Sequence, residues 1–181
     1  MLGKTYDTQT CSIARSLEVV GERWSLLIIR DAHFAGLTRF TDFQRSLGIA
    51  TNVLRDRLEA FVDAGIMTRR RYSEAPEQHE YLLTEKGREL LPVLVALTEW
   101  GDRWAAPNGR PIVYRHAGCG GEVHAELACE RHGILTDHSA LEAELGPGMS
   151  AERTELMNGI FASRADDARL SGAAPAASAV P

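Results

Sequence analysis

The chain has 181 residues, of which 44% are apolar and 25% charged, and its formal net charge is −5. That balance excludes a collagen-like or wholly disordered polymer and leaves enough apolar residues for a core that needs neither disulfides nor metals. Spread evenly, an acidic excess would argue against a nucleic-acid partner; but seven arginines face only four acids between Arg39 and Tyr72, a net +3, and the acids concentrate elsewhere, notably after residue 140.

Residues 11–35 read as helical, because Ile13, Leu17 and Val20, then Trp24, Leu27 and Ile28, fall at helical spacing, with Gly21 separating two helices. The next stretch, 36–67, predicts two more. Thr38 is placed to cap the first, Phe40, Phe43 and Leu47 share its inner face, and Gly48 suits the left-handed position that ends it. Thr51 is placed to cap the second, Leu54, Leu58 and Phe61 share a face, and Gly65 ends it. Two helices joined by a turn of roughly three residues make the helix-turn-helix pattern.

MTRRRYS and HEYLL then read as two short strands around the turn EAPEQ. A hairpin directly after the second helix of such a pair is a wing. From Thr84 to about Arg103 one long helix is expected, with Leu90, Leu91, Leu94, Leu97 and Trp100 forming an apolar stripe wider than a small domain needs. Such a stripe suits dimerisation, which also matches a palindromic DNA site.

The domain reading is therefore 1–106 for the DNA-binding and dimerising body, 107–111 for a linker (PNGRP), 112–164 for a small extension, and 165–181 for a disordered Ala/Ser/Pro-rich tail. Within the extension, Ser139 and Glu142 have capping-box spacing for a short helix to Leu145, and Ser150 is placed to cap a last helix to about Arg164.

The opening MLGKTYDTQTC lacks the apolar run of a secretory signal, and the apolar runs at 26–29 and 93–97 are far short of the ~20 residues that span a bilayer. Three cysteines do not suggest an extracellular disulfide framework. The expectation is a cytoplasmic protein with reduced thiols and no membrane partner.

The ordered set CSIARSLEVVGERWSLLIIRDA, RFTDFQRSLGIATNVLRDRLEAFVDAGIMTRR and HEYLLTEKGRELLPVLVALTEWG resembles the HxlR family of bacterial regulators over about residues 8–105. The resemblance implies a mainly α winged helix-turn-helix fold with a small β-hairpin, homodimerisation through the first and last helices of the domain, and control of nearby promoters. The extension after residue 110 lies outside the family's common core.

In such a motif the second helix lies in the major groove, its N-terminal half nearest the bases. Thr51, Asn52, Arg55 and Asp56 are polar there, and Asn52 and Arg55 share a face. Asn pairs bidentately with adenine and Arg with guanine, so these two are the candidates for base readout. Arg57 matches a basic position of the family motif and serves either a phosphate or an internal pair with an acid such as Asp63. Thr38 and Arg39 open the first motif helix, whose N-terminus favours a phosphate. Arg69, Arg70 and Arg71 lie on the wing; strand alternation sends Arg69 and Arg71 to one side and Arg70 to the other.

Cys11 stands at the cysteine of the family motif, where some relatives use a thiol switch; a packed structural thiol is the alternative. In the extension, His116-x-x-Cys119 and Cys129-x-x-His132 form two short-spaced pairs nine residues apart, a set suited to Zn2+ in a structural rather than catalytic site; His124 is a substitute ligand. Unmetallated side chains on a hairpin are the alternative.

These readings converge on a homodimeric, sequence-specific regulator of transcription, expected to be a repressor, that binds a double-stranded DNA operator and responds to a small-molecule effector or thiol-reactive signal. The competing reading is a metal-containing sensor or interaction protein built on the extension. An enzyme is not expected, because neither Cys119 nor Cys129 has an identifiable orienting acid or oxyanion site.

Overall fold

The computed structural model describes Tyr6, residues 10–137, Ser139 and residues 141–160. The tail from 165, and the end of the last helix beyond 160, lie outside the described residues. The chain divides into two compact units, one containing Ser12–Glu126 and the other Leu127 onward together with Thr10 and Cys11.

The first unit opens with α1 (Ser12–Val20), α2 (Ser25–Phe34), α3 (Phe40–Leu47) and α4 (Thr51–Asp63). Gly21 separates α1 from α2 because its N–H donates to Leu17 O at 2.8 Å, a turn so tight that a Cβ there would sit 2.4 Å from the same oxygen. The predicted inner faces of α3 and α4 are the core. Phe43, Leu54, Leu58 and Phe61 are buried with Ile28 and Ile29 of α2, Ile49 and Ile66 of the connections, and Met67, which opens the strand after α4. Each fully buried side chain of this kind contributes about 1.5–3 kcal/mol. Gly48 ends α3 at φ +61, as its place in the sequence predicts.

Two predicted caps are not formed. Arg39, not Thr38, is the N-cap of α3, because the Thr38 carbonyl is taken by the Tyr81 N–H at 2.7 Å and this fixes Thr38 to the wing as extended chain. Ala50, not Thr51, is the N-cap of α4. The Thr51 hydroxyl instead accepts from Gln44 Nε2 at 2.9 Å.

The hairpin is β1 (Met67–Glu74) and β2 (Glu77–Leu83), antiparallel, with Met67 opposite Leu83 and Arg70 opposite Glu80. The strands run further than expected and leave Ala75–Pro76 as the turn. A bulge falls between Arg71 and Ser73, so Tyr72 has no cross-strand partner and the simple alternation stops there.

The expected single helix from Thr84 is two: α5 (Glu85–Arg88) and α6 (Leu91–Trp104). Thr84 caps α5 as predicted, its hydroxyl accepting from Gly87 N at 3.2 Å. Pro92 stands in the first turn of α6, where its missing N–H costs nothing; continued back through Arg88 the helix would have lost that bond and met the proline ring.

Residues 107–126 pack within this unit. The Tyr114 ring stacks on Phe34 of α2 with centroids 4.3 Å apart, and its hydroxyl lies 3.2 Å from Thr98 Oγ1 of α6. Glu99 of α6 pairs with His124 Nδ1 at 2.8 Å and accepts from Ala125 N at 3.1 Å.

In the second unit β3 (Ala128–Cys129) pairs with β4 (Gly133–Ile134), and α7 covers 151–160 with Ser150 Oγ accepting from Arg153 N at 3.3 Å. The helix expected from Ser139 to Leu145 is absent among the described residues. Ser139 bonds backward instead: its N–H and hydroxyl both donate to Asp137 Oδ1, at 2.9 and 2.6 Å.

Candidate nucleic-acid interface

Three elements of the first unit border one open cleft of about 610 Å3. Arg39 and Arg45 enter it from the start and middle of α3, Arg55 from α4, and Tyr72 and His79 from the hairpin. The Arg39 guanidinium lies 4.7 Å from the centre of the Tyr72 ring, a cation–π contact that orients the arginine without neutralising it. The bulge at Tyr72 turns this side chain toward Arg39, so the cleft depends on a local departure from strand regularity. Arg45 has Asp42 at 3.6 Å, a loose, exposed pair.

On α4, Thr51, Asn52 and Arg55 are all exposed, opposite the buried Leu54, Leu58 and Phe61. Neither α3 nor α4 has a side-chain cap. First-turn N–H groups therefore remain at both N-termini, which suits a phosphate oxygen. Arg57 is half-buried, and among the described residues no ion pair joins it to Asp63.

The three wing arginines differ in their surroundings. Arg70 is held by Glu80 through a 2.6 Å contact, and that carboxylate is only 16% exposed. Arg71 has a looser partner in Glu74 at 3.3 Å. Arg69 is exposed, opposite Tyr81, and has no ion pair among the described residues.

Of the lining residues, sequence reasoning assigned only Arg39 and Arg55 to DNA; those it missed include Arg45, Tyr72 and His79. Arg45 was readable as an outward position of α3. His79 stands opposite Arg71 in the hairpin and needed the register; Tyr72 needed the bulge. A buried acid was missed as well. Asp31 of α2 is 6% exposed and takes Ser46 Oγ of α3 at 2.6 Å and Arg30 Nε at 2.8 Å, so it sets α3 against α2.

The remaining candidates are not among the residues that line this cleft. Cys11 is exposed and immediately precedes α1. His116 and Cys119 stand together in the first unit, and Cys129 and His132 in the second. None of the three cysteines is in a disulfide. Among the described residues no helix is long and apolar enough to cross a membrane.

A helix pair, a following hairpin and a cleft edged with arginines define the winged helix-turn-helix class. The family model for HxlR-like helix-turn-helix proteins matches residues 19–109. The uncharacterized HTH-type transcriptional regulators Rv3095 of Mycobacterium tuberculosis and Mb3122 of Mycobacterium bovis are each 44% identical over 142 residues, 78% of this chain and 89% of the relative. Among solved structures, PA1607, a proposed transcription factor, superposes with a TM-score of 0.68 at 36% identity, covering 78% of this chain and 99% of its own. PA1374 of Pseudomonas aeruginosa, also a proposed transcription factor, gives 0.58 at 40% identity, covering 80% and 99%. The chain belongs to the HxlR-like helix-turn-helix family and is a transcriptional regulator of that type.

Proposed function

We propose that this regulator acts as a homodimeric repressor, seating α4 of each protomer in the major groove of a palindromic operator. The observation that carries the reading is the convergence of Arg39, Arg45 and Arg55 with the Tyr72 side of the wing on one cleft. Asn52 and Arg55 read base edges; Thr38, Arg39, Thr51, Arg57, Arg69 and Arg71 position the phosphates, with Arg70 contributing least because Glu80 holds it.

The dimer reading is supported by a run of exposed apolar side chains on α6: Val93, Leu97, Trp100 and Trp104, at i, i+4, i+7 and i+11. This is the spacing of a helix–helix seam. Ile13 and Leu17 of α1 are also exposed, one turn apart. A single protomer leaves two tryptophans 61% exposed, which a partner copy would cover.

Two features support a signal input. A cleft of about 300 Å3 beside α6, edged by Thr98, Arg103, Arg110 and Tyr114, has the size of a small-ligand site. Cys11 is exposed ahead of a helix, which suits a thiol-reactive signal. Reduced and diamide-treated protein with equal operator affinity would remove that second input.

The deciding experiment selects DNA from a genomic library on the purified protein and then measures the salt dependence of binding to the recovered sites. A palindromic consensus, a steep salt slope and repression of a reporter are expected. Binding that is absent, or indifferent to sequence, overturns the reading.

A further inference from the structure

After α6 the chain of the first unit doubles back as a narrow hairpin. Val123 N donates to Tyr114 O at 2.9 Å and His116 N to Gly121 O at 2.8 Å. Two side-chain contacts hold this hairpin to α6: the Tyr114 hydroxyl with Thr98 Oγ1 at 3.2 Å, and His124 Nδ1 with Glu99 Oε1 at 2.8 Å. The hairpin and the helix together border the cleft of about 300 Å3, and every residue that lines it belongs to the first unit.

One wall is apolar. Ile112, Val113 and Val123 line it and all three are exposed, so apolar surface is left for a ligand to cover.

The polar wall is charged, and most of its groups are committed. Arg110 pairs with Glu122. Arg103 holds its guanidinium 4.9 Å from the centre of the Trp104 ring. Glu99 gives one carboxylate oxygen to His124 and accepts from Ala125 N with the other, at 3.1 Å. The single proton of the Thr98 hydroxyl goes to Leu94 O at 2.9 Å, so the Tyr114 hydroxyl is the donor to Thr98 and its own oxygen is left to accept.

Asp102 is different. It stands three residues after Glu99, on the same side of α6, is half-buried and lines the cleft. Among the described residues it has neither a hydrogen bond nor an ion pair. A carboxylate partly withdrawn from water is stabilised by a positively charged hydrogen-bond donor. Among the described residues no group of three or more His, Cys, Asp or Glu is placed to hold a metal, and the wall beside Asp102 is apolar. The complementary partner is therefore an organic cation that carries its own apolar body.

We propose that this cleft binds a small protonated amine, with its ammonium group on Asp102 and its apolar body along Ile112, Val113 and Val123. The Tyr114 oxygen offers a further acceptor. The inference rests on the reading of this cleft as a signal input, and it names the class of ligand. The cleft is placed to transmit binding: α6 also carries the Leu97 and Trp100 seam, and Tyr114 stacks on Phe34, which ends α2 just ahead of α3.

The test is calorimetric titration of the reduced full-length protein, without DNA, using hexylamine and 2-phenylethylamine as probes and 2-phenylethanol and phenylacetate as neutral and acidic counterparts. The amines are expected to bind, and both counterparts to bind at least about tenfold more weakly. Asp102→Asn, which keeps the size of the side chain, should weaken amine binding by about tenfold or more. Val113→Trp, which fills the apolar side and leaves the carboxylate in place, should abolish it. Melting temperatures of both variants without ligand separate loss of the site from loss of folding. Binding of neither amine, phenylacetate binding as tightly as the amines, or an unchanged amine affinity in Asp102→Asn overturns the proposal. Because DNA is absent from the titration, failure here leaves the operator reading intact, and failure of operator binding leaves this site intact.

Discussion

Ser46 of α3 donates its hydroxyl to Asp31 of α2 at 2.6 Å, and Arg30 closes on the same carboxylate from the exposed side. Asp31 is one of two buried polar side chains among the described residues, Ser25 being the other. The contact fixes the angle at which α3, and with it the Arg39–Arg45 edge of the cleft, leaves the body of the domain. Replacing Asp31 with Ala is expected to cost about 1.5–3 kcal/mol, because it removes charge-assisted hydrogen bonds at a buried position. Ser46→Ala should cost less. Urea unfolding of the two single variants and the double variant checks this; strictly additive losses would show that the two residues do not act together.

Arg55→Ala is expected to weaken operator binding by about 1–3 kcal/mol and to relax the preference at one base pair per half-site. Sequence logos from selection on the wild type and the variant make the comparison, and an unchanged logo would refute the base-reading role.

Among the wing arginines the ion pairs set an order. Arg69→Ala should weaken binding about equally on all sequences and lower the salt slope by about one per protomer. Arg70→Ala should do less, since its charge already faces Glu80 at 2.6 Å. Titrations at several salt concentrations would read both; an Arg70 variant weaker than the Arg69 variant would reverse the assignment.

Leu97→Asp combined with Trp100→Asp is expected to convert the proposed dimer to monomer, with association weakened by more than about 2 kcal/mol. Both side chains are largely exposed, so the monomer should keep its helical content. Sedimentation of the variant at the wild type's working concentration decides the matter. An unchanged mass would move the dimer interface elsewhere.

Gly87→Ala is expected to destabilise the domain by about 1–3 kcal/mol. A Cβ there would sit 2.3 Å from Ile66 O and 2.9 Å from Leu83 Cδ2, where α5 crosses the base of the hairpin. Thermal unfolding reads the effect; a melting point equal to the wild type's would show that the backbone can part there without cost.

Much of this domain was legible in the order of its residues. Phe43, Leu54, Leu58 and Phe61 repeat at helical spacing and all four are buried, because burying one face of each short helix is the main force that holds it. Gly48 marked its turn because the left-handed conformation excludes most other residues. Pro92 carried the signal for the break between α5 and α6, and the apolar stripe around it obscured that signal. The caps were another matter: Thr38 and Thr51 are sound candidates locally, but the wing residue Tyr81 takes the Thr38 carbonyl and Gln44 of the preceding helix takes the Thr51 hydroxyl.

The sequence by itself determined the helix pair, the wing, the arginine-rich stretch and the two Cys/His pairs, since each follows from spacing within about a dozen residues. Only the tertiary structure decided that Arg70 is paired, that the bulge aims Tyr72 at Arg39, and that Tyr114 docks on Phe34. Those outcomes depend on which distant chain segments meet, and burial of the common core, rather than any local preference, brings them together.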